Sequence, residues 1–318
     1  MKRRDPGAGE PSGCLLLHKR PGITSFEALN EVKRAFATSK VGHTGTLDKF
    51  ASGLLLVLVG RAVKLASWFS GTDKQYEGTV CFGMETDTLD PEGVPVAEGP
   101  VPSWEDLEAV LPQFRGDILQ APPEYSAVHV QGQRASQLAR QGKSVALRPR
   151  PVSVYALELR GYEIASRGYA YVQIRVHCSK GTYIRSLARD LARSVGSRGY
   201  LTALHRTKIA GFPVSQGIDP GADVDGASLR AALRRVDQGV LTALGIPHGT
   251  VGPEVARQML QGKPLAGLID AATWSPAPPG GPALPYAGVV DEVGNLVAII
   301  QRNEENQRWS YGYVYARS

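Results

Sequence analysis

The segment Gly42-His43-Thr44-Gly45-Thr46-Leu47-Asp48-Lys49-Phe50-Ala51-Ser52-Gly53-Leu54-Leu55 constrains this chain most. The unbroken apolar run Leu54–Val59 begins inside it and reads as a buried strand. The residues before it are rich in Gly, Thr and Ser, and glycine permits backbone angles and close approaches that other residues resist. One carboxylate, Asp48, therefore sits in a short loop anchored on a core strand. Loops on rigid scaffolds are where chemistry is usually placed. The structural alternative is an Asp that caps a following turn, and the residues alone weigh the two about equally.

The rest of the chain supplies an α+β alternation. Cys14–Leu17 is a short buried strand, and Thr24-Ser25-Phe26-Glu27 has the form of a capping box. Phe26, Leu29, Val32 and Phe36 follow at helical spacing. A short helix is expected around Ala62–Phe69, a half-buried strand over Tyr76–Phe82, and a turn at Asp90-Pro91-Glu92-Gly93. Ser103 opens a helix through Leu107 and Leu111. Tyr169–Cys178 alternates strictly, and Thr182–Val195 is an amphipathic basic helix with Ile184, Leu187, Leu191 and Val195 inward. Residues 120–150 turn Pro-rich, then basic and polar, as a surface insertion would. Beyond about residue 245 come a short helix, Glu254–Leu260, a Pro/Gly-rich loop, Pro276–Pro285, and strands Gly288–Asp291 and Leu296–Gln301, a small β-rich appendage.

Bulk properties exclude several classes. A chain of 318 residues has room for two domains. Its net charge of +6 and pI of about 9.2 suit a polyanionic partner. Three scattered cysteines, Cys14, Cys81 and Cys178, argue against a disulfide framework and for a reducing compartment. No Cys/His group has zinc-ligand spacing, so no metal is expected. No apolar run is long enough to span a bilayer, residues 1–12 read as a disordered basic tail rather than a secretory signal, and a cytoplasmic protein is expected. Phosphate-loop and dinucleotide fingerprints do not occur.

The Asp48 segment closely resembles the signature of the tRNA pseudouridine synthase B family, on Gly42, His43, Thr44, Gly45, Leu47, Asp48, Ala51, Ser52 and Gly53. A second match is complete: Cys178-Ser179-Lys180-Gly181-Thr182-Tyr183-Ile184-Arg185. The resemblance implies that Asp48 is the nucleophile and Arg185 its ion-pair partner. It implies that Tyr76 stacks on the target base and handles its C5 proton, that Tyr183 and Leu204 line the base pocket, and that His43 wedges into the RNA where the base has flipped out. Lys19 and Gly22 resemble the family's first motif, with His18 and Arg20 in place of the usual Asp and Pro. Tyr125–Gly142 resembles its RNA-gripping thumb, making Arg134 and Arg140 candidate RNA contacts. Lys49 stands where the family usually has Pro and is expected to reach RNA phosphate or solvent. Outside the resemblance, Tyr76 would more commonly be a core tyrosine and His43 structural, whereas for Tyr183 and Arg185 the structural reading, a basic helix start with a core Tyr, is the lesser one.

The implied architecture is α+β: a central mixed, largely antiparallel sheet flanked by helices, with a small β-rich PUA-like domain at the end. The implied organisation is a tail over 1–12, a synthase domain over 13–244 with a thumb-like insertion at about 120–150, and an RNA-binding domain over 245–318. The implied activity is isomerisation of uridine 55 in the tRNA T loop, by a monomer, with no cofactor and no protein partner. Attack by the carboxylate on C6, attack on C1′, or removal of a ribose proton all fit. The alternatives are a non-catalytic tRNA-binding protein on this scaffold and a synthase for another RNA.

Overall fold

The computed structural model describes residues 10–130, 132–142, 147–219, 225–275 and 284–315. Most of the expected tail, Gln131 and Lys143 of the insertion, and most of the Pro276–Pro285 loop lie outside them. The chain forms two units, one of Met1–Leu47, Leu54–Thr72 and Lys208–Ser318, the other of Asp48–Gly53 and Asp73–Thr207.

In the first unit the apolar run is the heart of strand Ser52–Val59. Side chains alternate across a strand, and here both faces are covered. Leu54, Leu56 and Leu58 join a cluster with Leu16, Phe69, Val240 and Ile299. Leu55, Val57 and Val59 join a second with Leu15, Leu17, Leu29 and Val32. Strand Gly13–Lys19 lies beside it, and Val41–His43 pairs antiparallel with its far end, His43 opposite Val57. Helix Ser25–Phe36 covers the second cluster, and the Thr24–Glu27 capping box forms as expected. Phe26 departs from the expected apolar stripe. It is 66% exposed, with the Lys33 ammonium 4.1 Å from its ring centroid, because the buried stripe runs through Ala28, Leu29, Val32 and Phe36. The expected helix at Ala62–Phe69 is a 3₁₀ turn, Gly60–Leu65, continuing into Ala66–Phe69.

The C-terminal strands make a five-stranded sheet in the order Thr273–Trp274, His248–Val251, Tyr286–Asp291, Leu296–Arg302, Trp309–Val314. Trp274 and Trp309, on its two outermost strands, stack 6.4 Å apart at 22°. That contact requires the sheet to curl until its edges meet. Helix Pro253–Leu260 packs Ala256 and Met259 on it.

The second unit orders its sheet as Gly199–Ile209, Lys74–Phe82, Ala170–Cys178, Arg150–Ile164 and Gly116–Gln120. Lys74–Phe82 runs antiparallel to Ala170–Cys178, with Lys74 opposite Cys178 and Tyr76 opposite Val176. Directly opposed residues share a face, so Lys74, Tyr76, Val176 and Cys178 line one buried side. Ser52 and Gly53 run parallel beside His205 and Arg206, which makes the sheet mixed. Helix Ile184–Ser194 buries Ile184, Leu187, Ala188, Leu191 and Ala192, the i, i+3, i+4, i+7, i+8 stripe of an amphipathic helix. The insertion holds a hairpin, His129–Val130 with Gln133–Arg134, and helix Ala135–Arg140. Among the described residues no helix is long and apolar enough to cross a membrane, and no group of three His, Cys, Asp or Glu could hold a metal ion.

Candidate active site

The Asp48 loop is pinned at both ends. The Leu47 amide donates to Ser25 Oγ at 2.8 Å, and Ser25 Oγ donates to the Leu47 carbonyl at 3.0 Å. After Asp48, the Ala51 amide donates to the Asp48 carbonyl at 3.2 Å, and Ser52 Oγ lies 2.8 Å from His205 Nδ1. Gly53 has φ +111°, and a Cβ there would stand 2.4 Å from the Arg206 carbonyl oxygen. The sequence's glycine is thus a close backbone approach, not merely a flexible joint.

Arg185 reaches this loop from the first turn of its helix. Its Nη2 donates to Asp48 Oδ1 at 3.0 Å, and its Nε lies 2.9 Å from Asp48 Oδ2, so both carboxylate oxygens face one guanidinium. Its two terminal nitrogens make further bonds: Nη1 to Asp90 Oδ2 at 3.1 Å and the Thr88 carbonyl at 2.7 Å, Nη2 to the Tyr125 carbonyl at 3.0 Å. Side-chain exposure separates the roles. Arg185 is 5% and Asp90 7% exposed, while Asp48 keeps 34%. The guanidinium is sealed behind, and the Asp48 carboxylate presents the open edge.

Asp90 is held by its own loop. Thr88 Oγ1 donates to Asp90 Oδ1 at 2.6 Å and the Glu92 amide to the same oxygen at 3.0 Å. Burial pushes its carboxyl up, against the Thr88 hydroxyl, Arg185 and the Glu92 amide, which pull it down. Leu89, just before it, has φ 60° and gives its carbonyl to the Leu201 amide at 3.1 Å. Tyr183 is fixed at the helix start by Gln120, whose Oε1 accepts from the Tyr183 amide at 2.8 Å and whose Nε2 donates to the Tyr183 carbonyl at 3.1 Å. Burial pushes the Tyr183 phenol up.

Tyr76 is buried. Burial pushes this phenol up and Arg206 opposes the shift. Lys74 and Cys178 lie on the same face. Burial, reinforced by Arg206, pushes the Lys74 ammonium down to about 8, and burial pushes the Cys178 thiol up to about 12. Leu204 is buried on the neighbouring strand. Asp48, Tyr76, Tyr183, Arg185 and Leu204 therefore belong to one unit.

The other expected site residues are placed as follows. Lys19 is fully buried, its ammonium donating to the carbonyls of Arg20 at 3.0 Å and Ile23 at 2.6 Å, and so fastens the turn through Gly22. His43 is half-buried on strand Val41–His43. Lys49 is half-exposed, 3.4 Å from the Glu92 carboxylate, a surface pair of small energetic weight. Arg140 is exposed at the end of helix Ala135–Arg140; the Arg134 side chain lies outside the described ones.

Sequence reasoning missed Asp90, Gln120, Lys74 and Arg206 as parts of the site. Asp90 was hidden in a turn signal, and no spacing rule connects it to Arg185. Arg206 and Lys74 carried a signal: each is a cation on the inward side of an alternating strand.

Comparison with known proteins fits this geometry. The family model described as TruB family pseudouridylate synthase, N-terminal domain, matches residues 33–184. A tRNA pseudouridine synthase B of Borreliella burgdorferi is 46% identical over 202 residues, 63% of this chain and 71% of that one. One of Treponema denticola is 46% identical over 209 residues, 61% of this chain but 58% of the relative's length. One of Francisella philomiragia is 43% identical over 211 residues, 65% and 68% of the two chains. A chain from a Cbf5–Nop10–Gar1 complex superposes with a TM-score of 0.65 at 21% identity, covering 99% of this chain and 90% of its own. Another, from an H/ACA ribonucleoprotein bound to a substrate RNA containing 2′-deoxyuridine, gives 0.64 at 20% identity, covering 95% and 82%. These structures share the α+β fold, and the sequence relatives fix the affiliation: the chain belongs to the TruB family of pseudouridylate synthases.

Proposed function

We propose that this protein converts uridine 55 in the T loop of tRNA to pseudouridine, with Asp48 as the nucleophile. The observation that carries this reading is the Asp48–Arg185 pair: a carboxylate with an open edge, hydrogen-bonded through Oδ1 and ion-paired through Oδ2 to a sealed guanidinium. The reaction breaks the bond from C1′ to N1 and forms one from C1′ to C5. A proton leaves C5, a proton arrives at N1, and nothing is oxidised. One carboxylate suffices to hold a covalent intermediate between the two bonds. Arg185 would keep both oxygens oriented through the reaction, and Asp90, the Thr88 carbonyl and the Tyr125 carbonyl would keep Arg185 in place.

The uridine must leave its stack to reach Asp48, at a cost of about a few kcal/mol. Tyr76, Tyr183 and Leu204 are assigned to the extruded base, and His43 to the gap it leaves. Lys19 acts by fastening its turn, and Arg134, Arg140 and Lys49 are assigned to the RNA backbone. The partner is the T stem-loop, bound by a monomer in the cytoplasm without a cofactor.

The test is incubation with an unmodified tRNA transcript, followed by mapping of pseudouridine. Product at position 55, and its loss in Asp48→Asn with tRNA affinity retained, is the expected result. The retained affinity follows because phosphate contacts, not the nucleophile, supply most binding. Turnover in a clean Asp48→Asn preparation would remove the nucleophile assignment, and product only at other positions would remove the uridine 55 assignment.

A further inference from the structure

Gln120 is the last residue of strand Gly116–Gln120 and is 3% exposed. Its backbone lies opposite Arg150 in the ladder. Its side chain reaches the other way and engages both polar atoms of one backbone residue. Oε1 accepts from the Tyr183 amide at 2.8 Å, and Nε2 donates to the Tyr183 carbonyl at 3.1 Å. The placing of oxygen and nitrogen is forced by chemistry, since only the carbonyl end can accept from N–H and only the NH₂ end can donate to C=O. Two bonds exchanged with a single residue are what a hydrogen-bonded pair in an antiparallel ladder makes. The Gln120 amide therefore stands in for a strand neighbour that Tyr183 lacks.

Tyr183 stands where the chain changes direction. It is the N-cap of helix Ile184–Ser194, with extended backbone, φ −97° and ψ 110°, and its side chain makes no cap. Before it runs a turn through Gly181 at φ +82°, closed by Thr182 Oγ1 donating to the Ser179 carbonyl at 3.0 Å. After it, the Tyr183 carbonyl accepts from the Leu187 amide at 3.0 Å, which ties the residue to the helix side alone. Gln120 supplies the tie on the amide side. The next residue extends the contact: the Ala121 carbonyl accepts from Ser186 Oγ at 2.8 Å and Arg189 Nη2 at 3.1 Å. Arg185 has anchors of its own in Asp90 and the Thr88 and Tyr125 carbonyls. Gln120 thus bears on Tyr183 more than on Arg185.

We propose that Gln120 is a positioning residue for Tyr183: its amide fixes the Tyr183 backbone, so that the ring is set for the extruded base before the base arrives. This rests on the isomerase reading above, in which Tyr183 is assigned to that base. A side chain already held in its bound geometry loses little freedom when its ligand docks. A displacement of about 1 Å near reacting atoms costs on the order of a hundredfold in rate. The effect falls on rate rather than affinity, because phosphate contacts supply most of the binding. Deleting the amide would also leave the Tyr183 N–H without the partner it has in this structure, and a buried donor left unmade is costly. The backbone at the head of the helix then has a reason to shift, and the ring shifts with it.

The experiment measures single-turnover pseudouridine formation on a tRNA transcript at saturating full-length protein, well below the unfolding temperature, with tRNA affinity alongside. It compares wild type, Gln120→Met, Tyr183→Leu and the double variant. Methionine has the length of glutamine without its amide. Gln120→Met is expected to slow the saturated rate by about tenfold or more, with affinity within about twofold of wild type. In the Tyr183→Leu background no ring is left to place, so the same substitution should change the rate by less than about twofold. Hydrogen exchange gives a readout independent of turnover: the Tyr183 amide should exchange faster in Gln120→Met than in wild type, while the middle of helix Ile184–Ser194 stays protected. An unchanged saturated rate, a loss confined to affinity, or a loss as large with Tyr183→Leu as without it would overturn the proposal. Should Gln120→Met not fold, Gln120→Glu takes its place in the same rate comparisons, since it keeps an acceptor for the Tyr183 amide and loses the donor to the carbonyl. Failure of the wild type to form any pseudouridine, with its Tyr183 amide protected, would instead strike the isomerase reading itself.

Discussion

Lys74 shows what a single buried cation costs in this site. The side chain is buried beside Arg206, and both effects disfavour its charge, so its pKa falls from 10.5 to about 8. In the unfolded chain the ammonium keeps the ordinary value. Between about pH 8 and pH 10.5 the unfolded chain therefore holds a proton that the folded protein has released. Stability must rise with pH across that window. Below about 8 the full cost is present, on the order of 3 kcal/mol. Lys74→Met is expected to raise the urea midpoint at pH 7 and to lose that advantage by pH 10. The difference between variant and wild type isolates Lys74 from the tyrosines and cysteines that titrate nearby. A difference that is constant with pH would show that Lys74 is stabilised by contacts rather than penalised by its charge.

At the scale of elements, the junction of loop and strand at Gly53 sets where Asp48 stands. A Cβ there would meet the Arg206 carbonyl oxygen at 2.4 Å and its amide nitrogen at 2.5 Å, and backbone cannot swing aside. Gly53→Ala should cost about 2–4 kcal/mol in unfolding free energy. It should also slow the reaction, because the Ser52–His205 bond and the Asp48 turn move with it. Gly22→Ala is the control: its φ is +84° but nothing lies within 4 Å, so only backbone strain remains, about 1 kcal/mol. Equal losses in the two variants would mean that close packing at Gly53 is unimportant. These elements also show how much the sequence made legible. Strand Ser52–Val59, helix Ser25–Phe36 and helix Ile184–Ser194 were readable because each carries its own period or cap. Strand Arg150–Ile164 was not, since register shifts at Val154/Ala156 and Leu159/Gly161 break its alternation. Asp48 and Arg185 were readable through motifs that hold them in fixed local sequence. Asp90 meets Arg185, and Arg206 lies beside Gly53, only through pairing of distant segments, which no local pattern encodes.

At the scale of the whole molecule, the C-terminal strands do more than append a sheet. Val290, Leu296 and Ile299 lie in one buried cluster with Leu54, Leu56, Leu58, Leu65 and Phe69 of the apolar run and the turn after it. Polar ties accompany the cluster: Tyr286 donates its hydroxyl to the Trp68 carbonyl at 2.9 Å, and the Tyr315 hydroxyl lies 2.8 Å from Ser12 Oγ. Removing the chain after residue 244 would therefore uncover the strand that anchors the Asp48 loop. Ile246, Val290, Leu296 and Ile299 are all deeply buried, and each contributes about 1.5–3 kcal/mol when removed from water. Their combined loss is comparable to the roughly 5–15 kcal/mol that holds a domain together. A chain ending at residue 244 keeps Asp48, Tyr76, Arg185 and Arg206, so a module that merely added RNA affinity could be removed with the fold intact. The expected outcome is different: the truncated protein should be insoluble, or should unfold broadly and well below the full chain in a thermal scan. A soluble truncated monomer with one sharp transition near that of the full chain would show that the shared cluster is dispensable, and that these strands serve binding alone.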